Sequence, residues 1–389
     1  MTLELIFWLA VLTVGYAYVG YPLLLALIAW LAPPPRRSLR SRPRLSVIIA
    51  AFNEAKWIEA KLASTLTQRY PADRLEVIVV SDGSTDGTDE IVLGCPDRRA
   101  RLIRQEPRAG KSAALNRGVA AATGEIFVFT DANALFTPEA LTRLTALFDD
   151  PRVGLVSGQG LYGTAGDGDA RAVGNGYVRY EALIKCGESA LGFLAGADGA
   201  IYAIRRAIFR PLQPAEVNDL LHPLQTALAG CVSRFDPHAY TLEPPSRDAR
   251  QEFGRHVRII AQGIALTRQW LPRLVAARCA RGVWALVSHR VLRWASAPCL
   301  VLAFTANLGL LDRDPLYGIT MVVQVAFYGV ALAAAAAERR GLALGKLAIP
   351  YYFCVVSAAG VGGLARYLRG GAEAIWAPGR QASARDRAA

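Results

Sequence analysis

Apolar positions along the chain form long uninterrupted runs near both ends and short runs between them. The first run, Leu3 to Ala32, has Glu4 as its one charged residue and ends at Pro33-Pro34-Pro35, because proline cannot continue a helix. Its length suits a membrane-spanning helix and exceeds the apolar core of a signal peptide. Three further long runs follow towards the end of the chain: Val291–Leu311, Leu316–Ala337 and Leu347–Leu368.

Short β-rich runs alternate with helical patterns between residue 45 and about residue 250. The strand-like runs are Leu45–Ala51, Leu75–Ser81 and Ile126–Thr130. The helical patterns that follow them are Glu54–Gln68, Thr85–Leu93 and Gly110–Ala122. This alternation is typical of an α/β domain with a mostly parallel, Rossmann-like sheet, whose ligands bind beyond the carboxyl ends of the strands.

These patterns divide the chain into five predicted parts. They are a membrane anchor (1–35), an α/β domain (45–255), an amphipathic segment (256–285), a membrane region of two or three spans (286–370) and a basic tail (371–389). In the amphipathic segment, apolar residues recur at helical spacing opposite arginines, which is typical of a helix on a membrane surface. An ordinary surface helix explains that pattern nearly as well.

The distribution of charge predicts how the chain is oriented across the membrane. The net charge is +12, but the arginines cluster beside the apolar runs, five after the anchor and eight from Arg255 to Arg293 around the start of the next run, and no Asp or Glu occurs from Phe253 to Leu311. Clustered arginines mark the cytoplasmic ends of spans and attract anionic lipid. We therefore expect a cytoplasmic α/β domain and contact with a lipid bilayer, and no nucleic-acid partner. The six cysteines are scattered without a CxxC pair, which argues against a disulfide scaffold and a zinc site.

The membrane topology leaves one conflict open. Three spans after the α/β domain would put the C-terminus outside, whereas the arginines near it favour the inside. Those arginines are Arg366, Arg369, Arg380, Arg385 and Arg387. Either the last run, which contains Pro350 and several glycines, does not cross fully or the charge rule fails here.

Asp131 and Asn133 stand where the strand-like run from Ile126 ends. Strand alternation puts two such residues on one face, where their oxygens can hold a hard divalent cation. A cation held by one carboxylate keeps room for diphosphate oxygens. We predict Asp131 as the main metal ligand and Asn133 as a weaker, neutral one, and the alternative is an Asx turn at the strand end.

Polar residues also follow the other predicted strands. Asn53, Glu54 and Asp82 can accept hydrogen bonds from a nucleotide base and ribose, although helix caps and turns need the same residue types. Lys111 begins a helix, where its ammonium and free backbone N–H groups can contact phosphate. A P-loop is excluded, because Gln105 occupies the first glycine position of that motif.

Two further segments suggest an acceptor pocket and a base. Small residues at 196–200 precede a strand-like run, so Asp198, Gly199, Ala200 and Tyr202 are candidates for lining a pocket, and a plain glycine turn is the alternative. Asp219 begins a helix after Pro214. Its carboxylate can act as a base, although an N-cap is the commoner role for such an Asp.

Taken in order, four segments resemble the family 2 inverting glycosyltransferases with a GT-A fold. They are Ser46–Glu54, Val77–Thr88, Gly110–Asn116 and Phe129–Asn133. The closest likeness is to membrane-integrated bacterial members related to poly-N-acetylglucosamine, hyaluronan and cellulose synthases, and it covers about residues 45–265. The resemblance implies a GT-A domain flanked by transmembrane helices in the bacterial inner membrane.

The same resemblance implies roles for single residues. Glu54 and Asp82 would hold the uridine of a UDP-sugar, and Lys111 would help at the donor. Asp131 would bind Mg²⁺ or Mn²⁺, and Asp219 would be the catalytic base.

Three departures from the family pattern bear on function. Asp-Ala-Asn at 131–133 replaces Asp-x-Asp, and Asn218 replaces the Glu before the base. Arg255 to Ile259 stands where processive synthases carry Gln-x-x-Arg-Trp. Arg258 remains and can neutralise the leaving diphosphate, whereas the sugar-stacking Trp is absent from that motif.

The resemblance therefore implies a multi-pass hexosyl- or N-acetylhexosaminyltransferase. It would move a sugar from a UDP-sugar to a glycan or lipid-linked acceptor in envelope or extracellular polysaccharide synthesis. Two alternatives stay open. One is a processive synthase that translocates its polymer with a second copy or an export partner, and the other is a catalytically degenerate nucleotide-sugar-binding subunit.

Overall fold

The computed structural model describes residues 2–35, 37–38, 42–163, 176–244, 249–340, 342 and 345–370. The predicted basic tail, 371–389, lies outside these residues. The described parts of residues 1–24, 248–265 and 286–372 form one compact unit, called here the helical unit. Those of residues 25–247 and 266–285 form the other, called here the α/β unit.

The strands in chain order are β1 (Leu45–Ala51), β2 (Leu75–Ser81), β3 (Ala100–Arg104), β4 (Ile126–Asp131), β5 (Leu135–Phe136), β6 (Val153–Tyr162), β7 (Tyr202–Arg205) and β8 (Val232–Glu243). The helices of the first 244 residues are α1 (Thr2–Gly15), α2 (Tyr21–Leu31), α3 (Ala55–Leu66), α4 (Thr88–Leu93), α5 (Lys111–Ala121), α6 (Ala140–Thr145), α7 (Gly176–Leu191) and α8 (Asn218–Leu228). Those that follow are α9 (Ala249–Ala276), α10 (Ala280–Leu286), α11 (Leu292–Trp294), α12 (Ser296–Leu308), α13 (Pro315–Arg339) and α14 (Ala348–Leu368). Short 3₁₀ or π turns occur at Tyr16–Gly20, Ala72–Arg74, Arg206–Ile208, Val287–Val291 and Gly345–Leu347.

The described strands form one mixed sheet in the order β3-β2-β1-β4-β7-β6-β8-β5. The first four strands are parallel, as predicted, and β1 and β2 have their predicted bounds. The other half is mixed, because β7 runs antiparallel to both β4 and β6, whereas β6 and β8 are parallel. Every residue of β1 is buried, which explains its continuous run of small and β-branched apolar residues.

The register of the parallel strands aligns their carboxyl ends. Ala51 pairs with Ser81, and Ala50 pairs with Asp131. The polar segments after β1 and β2 and the end of β4 therefore meet at one edge of the sheet, as the sequence predicts for a ligand site.

Two described helices are long and apolar enough to cross a membrane, namely Thr2–Leu31 and Pro315–Arg339. The apolar run Val291–Leu311, predicted as a span, is bent in the structure, because Ala280–Trp294 and Ser296–Leu308 meet at an angle of 58°. Pro298 has no N–H for the Trp294 carbonyl, so the helix cannot continue regularly through this point. If the bent pair is one span, the described residues contain three candidates.

Helix α14 is continuous from Ala348 to Leu368, so Pro350 and the glycines of the last apolar run do not interrupt it. Its glycines instead allow close packing within the helical unit. A Cβ at Gly360 would lie 2.7 Å from the Trp294 carbonyl oxygen, and one at Gly363 would lie 2.5 Å from Ile260 Cγ2. Helix α9 begins before the predicted amphipathic segment and ends at Ala276, and Arg278 (φ 53°) turns the chain before α10.

Candidate functional site

Asp131 and Lys111 form an ion pair at the carboxyl edge of the sheet. Asp131 ends β4, Lys111 begins α5, and Lys111 Nζ donates to Asp131 Oδ1 at 2.6 Å. The Lys111 side chain is 26% exposed and the Asp131 side chain is 36% exposed, so the pair is open to a ligand. Burial lowers the pKa of Lys111, but the charges of Asp131, Asp219 and Glu243 outweigh burial and hold this pKa above its ordinary value.

The turn after β4 corrects the argument for Asn133. Ala132 and Asn133 lie in a turn, and Ala134 N donates to Asp131 O at 3.2 Å. Strand alternation therefore does not apply to Asn133, and its metal role stays a prediction. Asp131 Oδ2 accepts no hydrogen bond from the described part of the chain, so this oxygen is available to a cation. Among the described residues, no three His, Cys, Asp or Glu side chains are grouped to hold a metal, which leaves Asp131 as a single carboxylate.

Buried Lys61 stabilises this turn through hydrogen bonds, and the sequence did not identify it as a site residue. It is fully buried, its Nζ donates to Thr130 Oγ1 at 2.7 Å and to the Ala134 carbonyl, and the ammonium lies 3.5 Å from the Phe136 ring centre. Burial lowers its pKa well below the ordinary value, against the charges of Asp131 and Glu243. A lysine on the apolar stripe of α3 is the signal that could have identified it.

Asp82 is buried beside the loop that leads to Lys111. Its side chain is 1% exposed, and Oδ1 accepts from Gln105 Nε2 at 2.6 Å and from Ala109 N at 2.8 Å. Oδ2 accepts from Gly110 N at 2.9 Å, where a φ of 92° suits glycine. Asp82 therefore fixes the loop that leads to Lys111, and its contact with the donor stays a prediction.

Asn53 forms the turn after β1. Its φ is 55°, its backbone N–H donates to Ser84 Oγ at 3.1 Å and its Oδ1 accepts from Thr85 N at 2.9 Å. The Glu54 backbone N–H donates to Thr88 Oγ1 at 2.9 Å, and Glu54 stands at the N-cap of α3. The geometry favours the turn-forming alternative for Asn53, whereas the nucleotide role of Glu54 stays a prediction.

Asp219 lies in the first turn of α8, where the sequence predicts a helix start. The cap position belongs to Val217, whose side chain cannot accept a hydrogen bond, so Asp219 is not the N-cap. Ala197 N donates to Asp219 O at 2.7 Å, and a Cβ at Gly199 would lie 3.2 Å from Asp219 Oδ2. The absence of a side chain at Gly199 therefore leaves room for the Asp219 carboxylate.

The loop before β7 connects this carboxylate to the strand that carries Asp131. Thr130 Oγ1 donates to Ala200 O at 2.7 Å. From the other side, Ser112 Oγ donates to Glu216 O at 2.8 Å, which ties the start of α5 to the segment before α8. These contacts bring Lys111, Asp131, Gly199 and Asp219 together at the carboxyl edge of β4.

The predicted acceptor residues separate into two groups. Asp198 is 23% exposed, and its Oδ2 accepts from Gly160 N at 3.1 Å and from Lys185 Nζ at 3.3 Å. Ala200 and Tyr202 are 3% and 0% exposed. Asp198 and Gly199 are thus the more accessible of the four, and the acceptor role of all four residues stays a prediction.

Tyr202 belongs to a buried relay with Asn218 and His222. Asn218 Nδ2 donates to Tyr202 Oη at 2.6 Å, and Tyr202 Oη lies 2.8 Å from His222 Nδ1. The rings of Phe129 and Phe209 pack on His222. Burial lowers the pKa of His222 to about 3 and raises that of Tyr202 well above its ordinary value, so all three groups are neutral. The relay supports the turn of α8 that carries Asp219, and it explains why a neutral amide suits position 218.

His222 makes the folded state sensitive to acid. Its pKa is depressed to about 3 in the folded protein and is about 6.5 when unfolded, so the unfolded state binds the proton more readily. Stability is full above pH ~6.5 and falls by about 1.4 kcal/mol for each pH unit below it, or about 2 kcal/mol at pH 5. Thermal melts of the full chain in detergent at pH 7.5 and 5.0 measure this loss.

His222→Asn keeps a hydrogen-bonding group but does not titrate, so we expect it to reduce the difference between the two melts. The matched control is His238→Asn at an exposed histidine. An unchanged pH difference in His222→Asn would show that other groups cause the acid sensitivity.

Two further charged residues are Glu243 in the α/β unit and Arg258 in the helical unit. The negative charge of Glu243, at the end of β8, raises the pKa of both Lys61 and Lys111. The sequence carries no signal for it, because the pairing of β6 with β8 brings it to this edge. Arg258 is half-buried in the helical unit, and burial, Arg255 and Arg366 lower its pKa. Its role at the leaving group stays a prediction.

The whole architecture resembles one solved structure in particular. It is described as mannosyltransferase PcManGT from Pyrobaculum calidifontis in complex with GDP-Man and Mn²⁺. The TM-score is 0.68 at 24% identity, and the likeness covers 94% of this chain and 99% of that one. The predicted fold class, a GT-A-like α/β domain with apolar helices at both ends, is thereby confirmed.

Residues 46–206 match the family described as Glycosyl transferase family 2. The matched part of the chain contains Lys111, Asp131 and the loop at 197–200.

Curated relatives have glycosyltransferase names. Probable glycosyltransferase YdaM of Bacillus subtilis is 30% identical over 224 residues, 54% of this chain and 53% of the relative. Beta-monoglucosyldiacylglycerol synthase of Nostoc sp. is 36% identical over 121 residues, 30% of this chain and 26% of the relative. Poly-beta-1,6-N-acetyl-D-glucosamine synthase of Staphylococcus aureus is 28% identical over 133 residues, 32% of each chain. The matches span about half of the first relative and about a third or less of the other two.

Proposed function

We propose that the protein is a membrane-bound inverting glycosyltransferase. It moves a sugar from a nucleoside diphosphate sugar to a glycan or lipid-linked acceptor. One observation carries the proposal. At the carboxyl edge of β4, the Lys111 ammonium donates to Asp131, and the negative charges of Asp131 and Asp219 both raise its pKa. In this proposal the donor diphosphate binds beside Asp131 and Lys111, and Asp219 serves the acceptor.

Asp131 Oδ2 would hold the divalent cation, Mg²⁺ or Mn²⁺. Its partly exposed oxygen suits a hard cation, and the likeness to a structure with Mn²⁺ supports the metal. When bound, the cation neutralises the negative charge that develops on the departing diphosphate. Lys111 contributes a second positive charge at the same place, and Asp82 keeps the loop before Lys111 in position.

Asp219 would act as the base. Its carboxylate accepts the proton of the acceptor hydroxyl, whose oxygen attacks the anomeric carbon from the face opposite the nucleotide. The bond to the diphosphate breaks as the new glycosidic bond forms, so the configuration inverts. The neutral relay of Tyr202, Asn218 and His222 keeps the first turn of α8 in place during this transfer. Arg258 is a further candidate for neutralising the diphosphate.

The donor base is left open between uracil and guanine. The family resemblance favours UDP, with Glu54 and Asp82 as the predicted contacts of the uridine. GDP-Man in the similar solved structure favours guanine. Glu54 and Asn53 stand at the edge where either base would bind, and the sugar is a hexose or an N-acetylhexosamine.

Membrane association is supported by exposed apolar side chains on the two long helices. Leu12 and Leu23 are 63% and 65% exposed, and Val322 is 69% exposed, which suits contact with lipid. We propose a multi-pass protein of the bacterial inner membrane with its glycosyltransferase domain in the cytoplasm. Relatives that synthesise a polysaccharide and a glycolipid support a glycan or lipid-linked acceptor.

The test is transfer by the full chain in detergent, with labelled UDP-sugars and GDP-mannose, Mn²⁺ or Mg²⁺, and a lipid extract as acceptor. We expect one sugar on a lipid or glycan, and loss of transfer with EDTA that added Mn²⁺ restores. Long polymer would support the processive alternative. Donor binding without turnover under every condition would contradict the enzyme proposal and favour a nucleotide-sugar-binding subunit.

A further inference from the structure

A cavity of about 450 Å³ in the α/β unit plays no part in the proposed reaction. Four arginines line it, together with Glu139, Thr142 and Ala146. These arginines, called here the arginine groove, are Arg37, Arg42, Arg69 and Arg143. A second cavity of about 280 Å³ shares Arg69, Glu139 and Arg143 with it, so the groove continues towards Tyr240.

The groove has more positive than negative charge. Glu139 is shared by Arg69 at 3.0 Å and Arg143 at 3.2 Å, and Asp236 pairs with Arg37 at 3.0 Å. Four guanidinium groups thus face two carboxylates. Asp236 is fully buried, whereas the Arg37 and Arg143 side chains are each 39% exposed. The excess charge is therefore open to an anion.

Part of the groove is already ordered for binding. Arg37 contacts both Asp236 oxygens, at 3.0 and 3.2 Å. The backbone of Arg69 is held at both ends, because its N–H donates to Pro138 O and its carbonyl accepts from Thr142 Oγ1. Planar guanidinium forks match the oxygens of a phosphate group as well as those of a carboxylate.

The chain also keeps the groove near the end of the first membrane helix. Helix α2 ends at Leu31, and Arg37 follows six residues later. Six residues span at most about 20 Å even when fully extended. If α2 ends in the headgroup layer, one wall of the groove lies within that distance of it.

We propose that the arginine groove binds the phosphate of an anionic lipid headgroup. The shared chemistry is a phosphate group, so free phosphate would use the same guanidinium donors. A lipid is favoured because the tether to α2 restricts the groove to the neighbourhood of the bilayer. The proposal does not depend on the proposed glycosyl transfer.

The experiment measures lipid binding to the purified full chain in a neutral detergent, by native mass spectrometry. The probes are dioctanoyl phosphatidylglycerol, dioctanoyl phosphatidylcholine and inorganic phosphate. We expect phosphatidylglycerol to bind more tightly than phosphatidylcholine. Replacing Arg42 and Arg143 by Ala should weaken phosphatidylglycerol binding by about tenfold, because two charge-assisted contacts are lost. Lysines at both positions should restore part of the affinity.

The matched control replaces Arg98 and Arg117, two exposed arginines outside the groove, by Ala. It removes the same charge and should leave binding within about twofold. If inorganic phosphate binds as tightly as phosphatidylglycerol and displaces it, the groove binds free phosphate and the assignment to a lipid is overturned. Equal losses in the groove and control variants, or none in the groove variant, would overturn the proposal.

Discussion

Asp219→Asn is expected to lower the rate of sugar transfer by about 10²–10⁴-fold, the range for removal of a general base. The amide keeps the size of the side chain beside Gly199 but cannot accept a proton from the acceptor. Donor binding should change little, because Asp131 and Lys111 are unaltered. Steady-state rates and calorimetric titration of the nucleotide separate the two effects.

Glu216→Gln is the matched control for Asp219. It removes a carboxylate three residues earlier, whose Oε2 accepts from Gln213 N, and it should transfer sugar at nearly the wild-type rate. Loss of nucleotide binding in Asp219→Asn would instead mean that this carboxylate belongs to the donor side. Full activity in Asp219→Asn would exclude it as the base.

Asp131→Asn is expected to lower transfer by about 10²-fold or more, because the cation loses its one charged ligand and the developing diphosphate charge is less well neutralised. The variant should also need more Mn²⁺ for half-maximal activity. A readout without turnover is the Mn²⁺ dependence of nucleotide diphosphate binding, which should weaken in parallel.

Two variants calibrate the Asp131 result. Asn133→Ala removes the weaker predicted ligand and should cost only a few-fold in Mn²⁺ affinity. Asp97→Asn removes a surface carboxylate paired with Arg99 and should change nothing at the site. If Asn133→Ala costs as much as Asp131→Asn, the cation is held by the turn as a whole rather than by one carboxylate.

Lys61 and Glu243 show why the site could be predicted only in part. The strand that ends at Asp131 is visible in the sequence, because a strand buried on both faces needs a continuous apolar run. Lys61 contacts this strand across about seventy residues of sequence, and Glu243 arrives on a strand whose pairing depends on the antiparallel half of the sheet. No local pattern encodes either approach.

Asp82 and Tyr202 illustrate the same limit for residues that the sequence did identify. The sequence placed both residues beside the site. The hydrogen-bond partners of a polar side chain, however, depend on which donors and acceptors lie next to it in the folded protein. Asp82 is bound by the loop at 105–110, and Tyr202 by Asn218 and His222. Each of these partners comes from a distant segment.

By itself, the sequence determined the strands β1, β2 and β4, the start of α8, two of the helices long enough to cross a membrane and the edge of the sheet where polar residues collect. These follow from local periodicity and from residue types that favour strands, caps and turns. The tertiary structure decided the bend before α12, the burial of Asp82 and Tyr202, and the approach of Asp219 to Lys111. These depend on packing and hydrogen bonds between segments far apart in the chain, which local residue preferences do not specify.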